Sequence, residues 1–219
     1  MRFEKTRREI VRVARQMLSD KLVTFTAGNI SVRVPESDLI AITPTSYPYD
    51  LMKPEDVPLV NLAGEVVEGA LQPSSETPMH TLIMRARPDV NAVVHTHSPY
   101  ALAFAVAHKP IPLISLEGLA TCSMSVLVAE YATPGTEEIG LSALQTLERQ
   151  PGSQAVLLAN HGLLVIGKSL SDAYATASKV ETEAMVYQLA LTVGTPVHLT
   201  EQQVHQIRQQ YVAKQSPKG

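Results

Sequence analysis

Residues 92–97 read Ala-Val-Val-His-Thr-His, an apolar run that ends in two histidines. Residues 92–96 have the composition of a strand at a central position of a sheet. Side chains two residues apart on a strand point to the same face, so His95 and His97 can converge on one metal ion. With seven histidines in 219 residues, a His-x-His triplet arises by chance in roughly one in five such chains. The triplet alone therefore leaves open a second interpretation, in which both histidines hydrogen-bond to the backbone.

The patterns on either side place this strand in a larger sheet. Alternating or short apolar runs between turn residues predict further strands at 30–34, 39–43, 57–62, 65–67 and 155–158. Apolar residues at three- and four-residue steps predict helices at 3–20, 76–88, 99–107, 136–149, 170–193 and 201–211. There are more predicted strands than a simple alternation of strand and helix would give. We therefore expect an α/β fold with a mixed or largely antiparallel sheet and helices on its faces.

The composition is that of an ordinary globular protein, with 45% hydrophobic residues, 18% charged residues and a formal net charge of -3. We expect one domain over residues 1–214, a polar tail at 215–219, and no binding to nucleic acid. Cys122 is the single cysteine, so an intramolecular disulfide is excluded and a reducing compartment, the cytoplasm, is expected. Residues 1–15 are rich in arginine and lack the unbroken apolar run of a signal peptide or a membrane span, so no membrane association is expected.

A third histidine interrupts the apolar stretch 157–167, which reads Leu-Leu-Ala-Asn-His-Gly-Leu-Leu-Val-Ile-Gly. An imidazole between two apolar runs costs free energy unless both ring nitrogens are satisfied, and metal ligation on one nitrogen with a hydrogen bond on the other does so. His161 is therefore a candidate third ligand, and three neutral imidazoles with an open fourth position are typical of catalytic zinc. The alternative is a turn histidine that hydrogen-bonds to the backbone.

A predicted helix begins after Pro73-Ser-Ser-Glu76. Free backbone amides and the positive end of the helix dipole favour an anion there, so Ser74 and Ser75 are candidate phosphate ligands, although ordinary capping accounts for one serine. Two short loops with small or polar side chains supply further candidates, namely Gly28, Asn29, Thr45 and Ser46. Glu76 is the candidate carboxylate for proton transfer, while its simpler interpretation is a first-turn glutamate that complements the helix dipole.

Six separated motifs resemble, in order and spacing, those of the class II aldolase and adducin family. The similarity extends from about residue 5 to residue 195, and the motifs are Thr26-Ala-Gly-Asn-Ile-Ser-Val-Arg33, Ile42-Thr-Pro-Thr45, Pro73-Ser-Ser-Glu76 with Met79-His80, Val94-His-Thr-His97, Tyr131-Ala-Thr-Pro-Gly-Thr136 and Asn160-His-Gly162. The resemblance implies a three-layer α/β/α sandwich around a mostly antiparallel sheet. It also implies a homotetramer whose active sites lie between neighbouring subunits.

The resemblance further implies one zinc ion per subunit at His95, His97 and His161, with Glu76 as a fourth ligand or as the acid and base. The implied phosphate site consists of Gly28, Asn29, Thr45, Ser46, Ser74 and Ser75. The reaction implied is the reversible cleavage of a ketose 1-phosphate, such as L-fuculose 1-phosphate, into dihydroxyacetone phosphate and an aldehyde. The expected partner is therefore a small phosphorylated sugar.

One departure from the family pattern concerns the segment that follows Ile111-Pro112. Leu116 stands where the family's aldolases have a catalytic tyrosine, and the neighbouring Glu117 resembles a glutamate of the methylthioribulose-1-phosphate dehydratases. Ala120 stands where the family's epimerases have an aspartate, which argues against epimerisation. Tyr211 is the candidate for a second aldolase tyrosine near the C-terminus. A dehydratase on the same zinc site and a non-catalytic, adducin-like interaction module remain alternatives.

Overall fold

The computed structural model describes residues 2–112, 114–115, 118, 125–200, 202–207 and 209 of the 219-residue chain. Its helices are α1 (Glu4–Ser19), α2 (Thr77–Ala86), α3 (Pro99–Ala107), α4 (Glu137–Glu148) and α5 (Leu170–Val193), with a 3-10 helix at Pro54–Asp56. The strands are β1 (Asn29–Arg33), β2 (Leu39–Ile42), β3 (Leu59–Asn61), β4 (Val66–Glu68), β5 (Ala92–Thr96), β6 (Ile111–Pro112), β7 (Ser125–Val126), β8 (Val128–Ala129), β9 (Ala155–Leu158) and β10 (Gly162–Gly167). Four of the predicted elements, α3, α5, β5 and β9, have the predicted bounds.

Eight of these strands form one sheet in the order β4-β3-β2-β1-β5-β10-β9-β8. Neighbouring strands run antiparallel except β8 and β9, which are parallel. β6 and β7 pair with each other in a separate antiparallel ribbon. The prediction of a large, mostly antiparallel central sheet flanked by helices is therefore confirmed, with one parallel pair added at an edge.

Alternate side chains of the central strands enter two separate apolar clusters. In β5, Val94 belongs to a cluster with residues of α1, α3 and α5, whereas Val93 belongs to a cluster with residues of α2 and α4. Successive residues of a strand point to opposite faces, so the two clusters lie on opposite sides of the sheet. β5 is buried along its whole length because helices cover it on both sides.

Helix α1 shows how the sequence pattern produces this packing. Ile10, Ala14 and Met17 recur at helical spacing and are fully buried against the sheet, while most of the basic residues between them face outward. Within the described ranges, no helix combines the length and the apolar character needed to cross a membrane.

The sequence patterns missed some strands. β10 was interpreted only as an apolar run after His161, because a buried strand of this kind has no alternation that distinguishes it from a helix. β6, β7 and β8 are two residues long, which is too short for a periodicity to be visible. Of the helix predicted at 201–211, residues 202–207 are helical, and residues 201, 208, 210 and 211 lie outside the described part of the chain.

Candidate active site

Two histidines lie at the end of β5, near the middle of the sheet. Nε2 of the fully buried His95 is 2.9 Å from Nε2 of His97. Nδ1 of His95 is 2.9 Å from the carbonyl oxygen of Leu163 on β10. A carbonyl oxygen only accepts, so Nδ1 carries the hydrogen of the neutral ring and the lone pair of Nε2 faces His97.

His161 reaches the same point from the turn between β9 and β10. The backbone N–H of His161 donates to the carbonyl oxygen of Leu158 at 3.0 Å, and Asn160 before it adopts a left-handed conformation with φ 57°. This turn brings the ring centroid of His161 to 4.6 Å from that of His95 and 5.1 Å from that of His97. Three imidazoles from two separated sequence segments therefore meet.

Gly162 allows β10 to approach β5 closely at this point. A Cβ atom on Gly162 would lie 2.3 Å from the carbonyl oxygen of Thr96, and 3.1 and 3.2 Å from ring carbons of His95 and His97. Such distances are shorter than van der Waals contact, so a side chain would push the two strands apart. The Asn-His-Gly sequence thus supplies a candidate ligand, His161, and at Gly162 the space that the three imidazoles need.

Glu76 completes the cluster from the residue just before α2. Its Oε2 atom lies 3.3 Å from Nε2 of His95, and its Oε1 atom lies 3.3 Å from Nε2 of His161. Oε2 also accepts a hydrogen bond of 2.8 Å from the side-chain amide of Asn29. Oε1 is buried and has no hydrogen-bond partner among the described residues, so a cation would satisfy it.

These side chains fit a tetrahedral metal ion. The ligand nitrogens of His95, His97 and His161 all lie within 4.8 Å of one another. Zinc with bonds of about 2.0–2.1 Å holds tetrahedral ligand atoms about 3.3 Å apart, which is close to the 2.9 and 3.3 Å separations between atoms of this cluster. A set of imidazoles with one carboxylate suits zinc better than it suits magnesium or calcium.

The protonation states of the histidines favour metal binding as well. Burial lowers the pKa of His95 well below its usual value, and the neighbouring His97 and His161 lower it further. Burial, followed by repulsion from His161, also lowers the pKa of His97, against the opposing effect of Glu76. Both rings are therefore neutral near pH 7, which is the form that binds a metal.

The cluster opens into a pocket of about 270 Å³, where Glu76, His97 and His161 form part of the wall. The six residues that the sequence predicts as phosphate ligands line the same pocket, namely Gly28, Asn29, Thr45, Ser46, Ser74 and Ser75. Pro134 and Gly135 also line it, and the sequence analysis assigned them no role. The structure therefore brings the predicted residues together, while their roles in binding remain predictions.

Two loops pair with each other to form one side of this pocket. The backbone N–H of Thr45 donates to the carbonyl oxygen of Gln72, and the N–H of Ser74 donates to that of Thr43, both at 3.0 Å. These bonds set the hydroxyl groups of the first loop beside the start of α2. The hydroxyls gathered there and the positive end of the α2 dipole make an environment suited to an anion.

Glycine is required at position 28 by the backbone conformation and by the closeness of neighbouring atoms. Its φ of +72° is in the left-handed region, and a Cβ atom there would lie 2.6 Å from the carbonyl oxygen of His95 and 2.7 Å from Cγ1 of Val23. The hydroxyl of the buried Tyr49 donates to the Gly28 carbonyl oxygen at 2.6 Å. The loop before β1 is thus held against β5, the strand that carries His95.

A comparison with known families agrees with this geometry. Residues 8–188 match the family model described as Class II Aldolase and Adducin N-terminal domain. The chain belongs to the class II aldolase and adducin family.

Named relatives of this class II aldolase cover nearly its whole length. It is 38% identical to a 5-deoxy-D-ribulose 1-phosphate aldolase of Bacillus thuringiensis serovar kurstaki, over 96% of this chain and 97% of the relative. It is 34% identical to a 5-methylthioribulose-1-phosphate/5-deoxyribulose-1-phosphate aldolase of Rhodospirillum rubrum, over 94% of this chain and 90% of the relative. A solved structure of an L-fuculose 1-phosphate aldolase superposes with a TM-score of 0.87 at 34% identity, covering 95% of this chain and 96% of that one.

These comparisons confirm two of the predictions made from the sequence. The resemblance to the class II aldolase family is correct, and the protein is an enzyme of the carbon–carbon lyase class. An adducin-like module without catalytic activity is therefore not supported.

Several residues of the sequence predictions lie outside the described part of the class II aldolase. They are Glu117, Leu116, Ala120, Cys122 and Tyr211. The residues shortly before Glu117 are tied to α5, because the buried carboxylate of Glu183 accepts from the backbone N–H groups of Ile114 at 3.0 Å and of Ser115 at 3.2 Å. The hydroxyl of Ser115 donates to the same carboxylate.

The sequence analysis also missed a group that lies directly behind the site. His80 on α2 is fully buried, and its ring contacts Asn29 and Ser31 of β1. The motif containing His80 was recognised, but no role was assigned to the residue. The available signal was the spacing of four between Glu76 and His80, which places both on one face of a helix.

Proposed function

We propose that this class II aldolase reversibly cleaves a ketose 1-phosphate into dihydroxyacetone phosphate and an aldehyde, with zinc as its cofactor. The observation that carries the proposal is that one pocket holds two kinds of group. His97, His161 and Glu76 line one part of it, and the hydroxyl groups at the start of α2 line another. A phosphorylated sugar needs both, because its phosphate requires anion-binding groups and its keto group requires polarisation.

The proposed phosphate ligands fix the position of the substrate. Ser74 and Ser75 offer hydroxyls at the positive end of the α2 dipole, while Thr45 and Ser46 offer hydroxyls from the paired loop, and Gly28 and Asn29 close the third side. Because these groups lie away from the bond that breaks, they orient the substrate and thereby reduce the entropic part of the barrier.

His95, His97 and His161, with Glu76 as a possible fourth ligand, are the residues that would hold the zinc. When bound there, zinc would act as a Lewis acid toward the keto oxygen and the adjacent hydroxyl oxygen, and so stabilise the negative charge that develops as the carbon–carbon bond breaks. The hydrogen bond from His95 Nδ1 to the carbonyl oxygen of Leu163 supports this role, because it orients the ring.

Glu76 is the proposed acid and base. In the cleavage direction the C4 hydroxyl gives up its proton to the Glu76 carboxylate, the C3–C4 bond breaks, and its electron pair stays on the dihydroxyacetone phosphate part, whose C3 then takes that proton from Glu76. Glu76 is buried beside the pocket and has one carboxylate oxygen without a hydrogen-bond partner among the described residues. It is therefore placed to deliver the proton to C3.

Chelation and a ligand substitution test the role of the metal. We expect a chelator to abolish cleavage and zinc to restore it, and we expect His95→Ala to lower kcat/KM at least about 100-fold, since Lewis-acid stabilisation contributes several kcal/mol. Circular dichroism should show that the variant remains folded. His198→Ala, at an exposed histidine, is the matched control, and cleavage that survives chelation would contradict the proposal.

The identity of the sugar can be decided by assaying three ketose 1-phosphates. The names of the relatives point to L-fuculose 1-phosphate, 5-deoxyribulose 1-phosphate and 5-methylthioribulose 1-phosphate. We expect release of dihydroxyacetone phosphate from at least one, measured by coupling to glycerol-3-phosphate dehydrogenase. Loss of water from 5-methylthioribulose 1-phosphate without any dihydroxyacetone phosphate would instead establish the dehydratase.

The proposal includes assembly of the cytoplasmic enzyme as a homotetramer of three-layer α/β/α subunits. Two large apolar side chains near the pocket support it, since Phe25 is 86% exposed and Tyr131 is 64% exposed. In the sequence, Phe25 directly precedes the pocket residue Thr26, and Tyr131 lies three residues before the pocket residue Pro134. Light scattering coupled to size-exclusion chromatography should give four times the chain mass of 23.8 kDa, and a monomer would refute this part.

A further inference from the structure

Behind the proposed active site, a continuous chain of hydrogen bonds leads from the sheet to the carboxylate of Glu76. The hydroxyl oxygen of Ser31 is 2.6 Å from Nδ1 of His80. Nε2 of His80 is 2.5 Å from the side-chain oxygen of Asn29, and the amide nitrogen of Asn29 is 2.8 Å from Oε2 of Glu76. All four residues are buried.

Two periodicities of the sequence build this chain. Asn29 and Ser31 are two residues apart on β1 and point to the same face, while Glu76 and His80 are four residues apart at the start of α2 and lie on one side of it. Asn29 pairs directly with His95 on β5. Residues of β1 and α2 therefore alternate along the chain of hydrogen bonds, which ends at the metal-binding cluster.

The direction of every hydrogen bond is determined by chemistry. The Glu76 carboxylate accepts, so the Asn29 amide must present its NH₂ group to Glu76 and its oxygen to His80. That oxygen also accepts, so Nε2 of His80 must carry the hydrogen. In a neutral ring Nδ1 is then the acceptor, and the hydroxyl of Ser31 donates to it.

The surroundings keep His80 in this neutral form. Burial lowers its pKa to about 4, against the opposing effect of Glu76. One ring tautomer, one amide orientation and one carboxylate position are therefore coupled to each other.

We propose that His80 is a positioning residue, which through Asn29 holds Oε2 of Glu76 and leaves Oε1 directed at His161 and the pocket. The inference rests on the proposed function, which gives Glu76 its role. The hydrogen bonds themselves do not depend on which reaction the enzyme catalyses. Without the His80 donor the Asn29 amide is free to rotate, and the carboxylate loses its fixed partner. Groups that orient a ligand in this way commonly change metal affinity or activity by about 10- to 100-fold.

Three substitutions on α2 test this role. His80→Leu removes both hydrogen bonds of the ring, whereas His80→Gln keeps an N–H group that can donate to Asn29. Thr81→Val is the matched control, because Thr81 is a buried neighbour whose hydroxyl bonds, among the described residues, to backbone oxygens within α2, those of Thr77 and Pro78. Zinc affinity by competition with a chromophoric chelator and the visible spectrum of the cobalt-loaded protein serve as readouts that do not depend on turnover.

We expect His80→Leu to weaken zinc binding about 10-fold and to change the cobalt spectrum, with His80→Gln close to wild type and Thr81→Val unchanged in both. In the cleavage assay kcat should fall about 10-fold in His80→Leu, with KM within about twofold because the phosphate groups stay in place. If His80→Leu does not fold, Ser31→Ala removes only the donor to Nδ1 and should weaken zinc binding about threefold.

The outcomes separate this inference from the proposed function. The inference would be overturned if His80→Leu left zinc affinity and kcat unchanged. If Ser31→Ala has to be used instead, unchanged zinc affinity in that variant would overturn it. In either case, cleavage by the wild type would still support the proposed function. A 10-fold difference between His80→Leu and His80→Gln in a protein that cleaves none of the three ketose phosphates would support the inference and contradict the function. A wild-type protein that binds no zinc would overturn both.

Discussion

At the residue scale, the candidate site depends on a glycine that leaves room as well as on the side chains that could bind a metal. Gly162 follows His161 and lies against the backbone that carries His95 and His97. Glycine usually suggests a flexible turn, but here it is required by the close approach of β5 and β10.

Gly162→Ala should therefore disturb the metal site from outside the ligand set. The added methyl group would lie 2.3 Å from the carbonyl oxygen of Thr96, and relief of such overpacking costs about 1–3 kcal/mol of the free energy of unfolding. We expect a lower midpoint in urea and less than one zinc per chain by elemental analysis. Gly194→Ala is the control, since a Cβ there has no neighbour within 4 Å, and equal zinc contents in the two variants would refute the argument.

At the scale of elements, α5 anchors two segments that lead away from the site. The carboxylate of Glu181 accepts from the backbone N–H groups of Tyr100 at 2.9 Å and Ala101 at 2.8 Å, which cap the start of α3 shortly after His97. Glu183, two residues further on, holds the segment that contains Ser115. The Glu181 carboxylate thus supplies the cap of α3, because the residue before the helix, Ser98, makes no capping hydrogen bond with its side chain.

Glu181→Ala should lower the free energy of unfolding by about 1–2 kcal/mol, because two amide groups at the start of α3 lose a charged acceptor. Urea denaturation at pH 7 measures the change. Lys179→Ala, an exposed position on the same helix, should change the free energy of unfolding by less than about 0.5 kcal/mol. Equal effects in the two variants would show that the cap contributes nothing.

At the scale of the whole molecule, burial of neutral histidines makes folding depend on pH. His80 has a pKa of about 4 in the folded protein against an ordinary value of 6.5. The unfolded chain therefore binds more protons between these two values, and stability is complete above pH 6.5 and is lost as the pH falls toward 4.

In the metal-free protein, this one residue should lower the free energy of unfolding by about 2–3 kcal/mol between pH 7.5 and pH 4.5. Urea denaturation at both pH values, on wild type and His80→Gln, isolates the contribution, since other titrating groups act in both proteins. We expect the wild type to lose about 2–3 kcal/mol more than the variant. Identical losses would mean that His80 is not held neutral by the fold.

Much of the architecture follows from local sequence. The helical spacing of α1, the apolar run of β5 and the bounds of α3, α5 and β9 can be derived from periodicity, because each element buries one face or both. β10 and the two-residue strands could not be derived, since their pairing partners are distant in the sequence. The parallel pairing of β8 with β9 likewise depends on a connection that no local pattern describes.

The candidate site divides in the same way. The sequence by itself determined which residue types were available, because His95 and His97 share a strand face and Ser74, Ser75 and Glu76 share the start of a helix. Only the tertiary structure decided that His161, Glu76 and Asn29 meet them, and that His80 lies behind Glu76. The physical reason is that the register of β1 and β10 against β5, together with the seating of α2 on the sheet, sets distances between residues far apart in the chain.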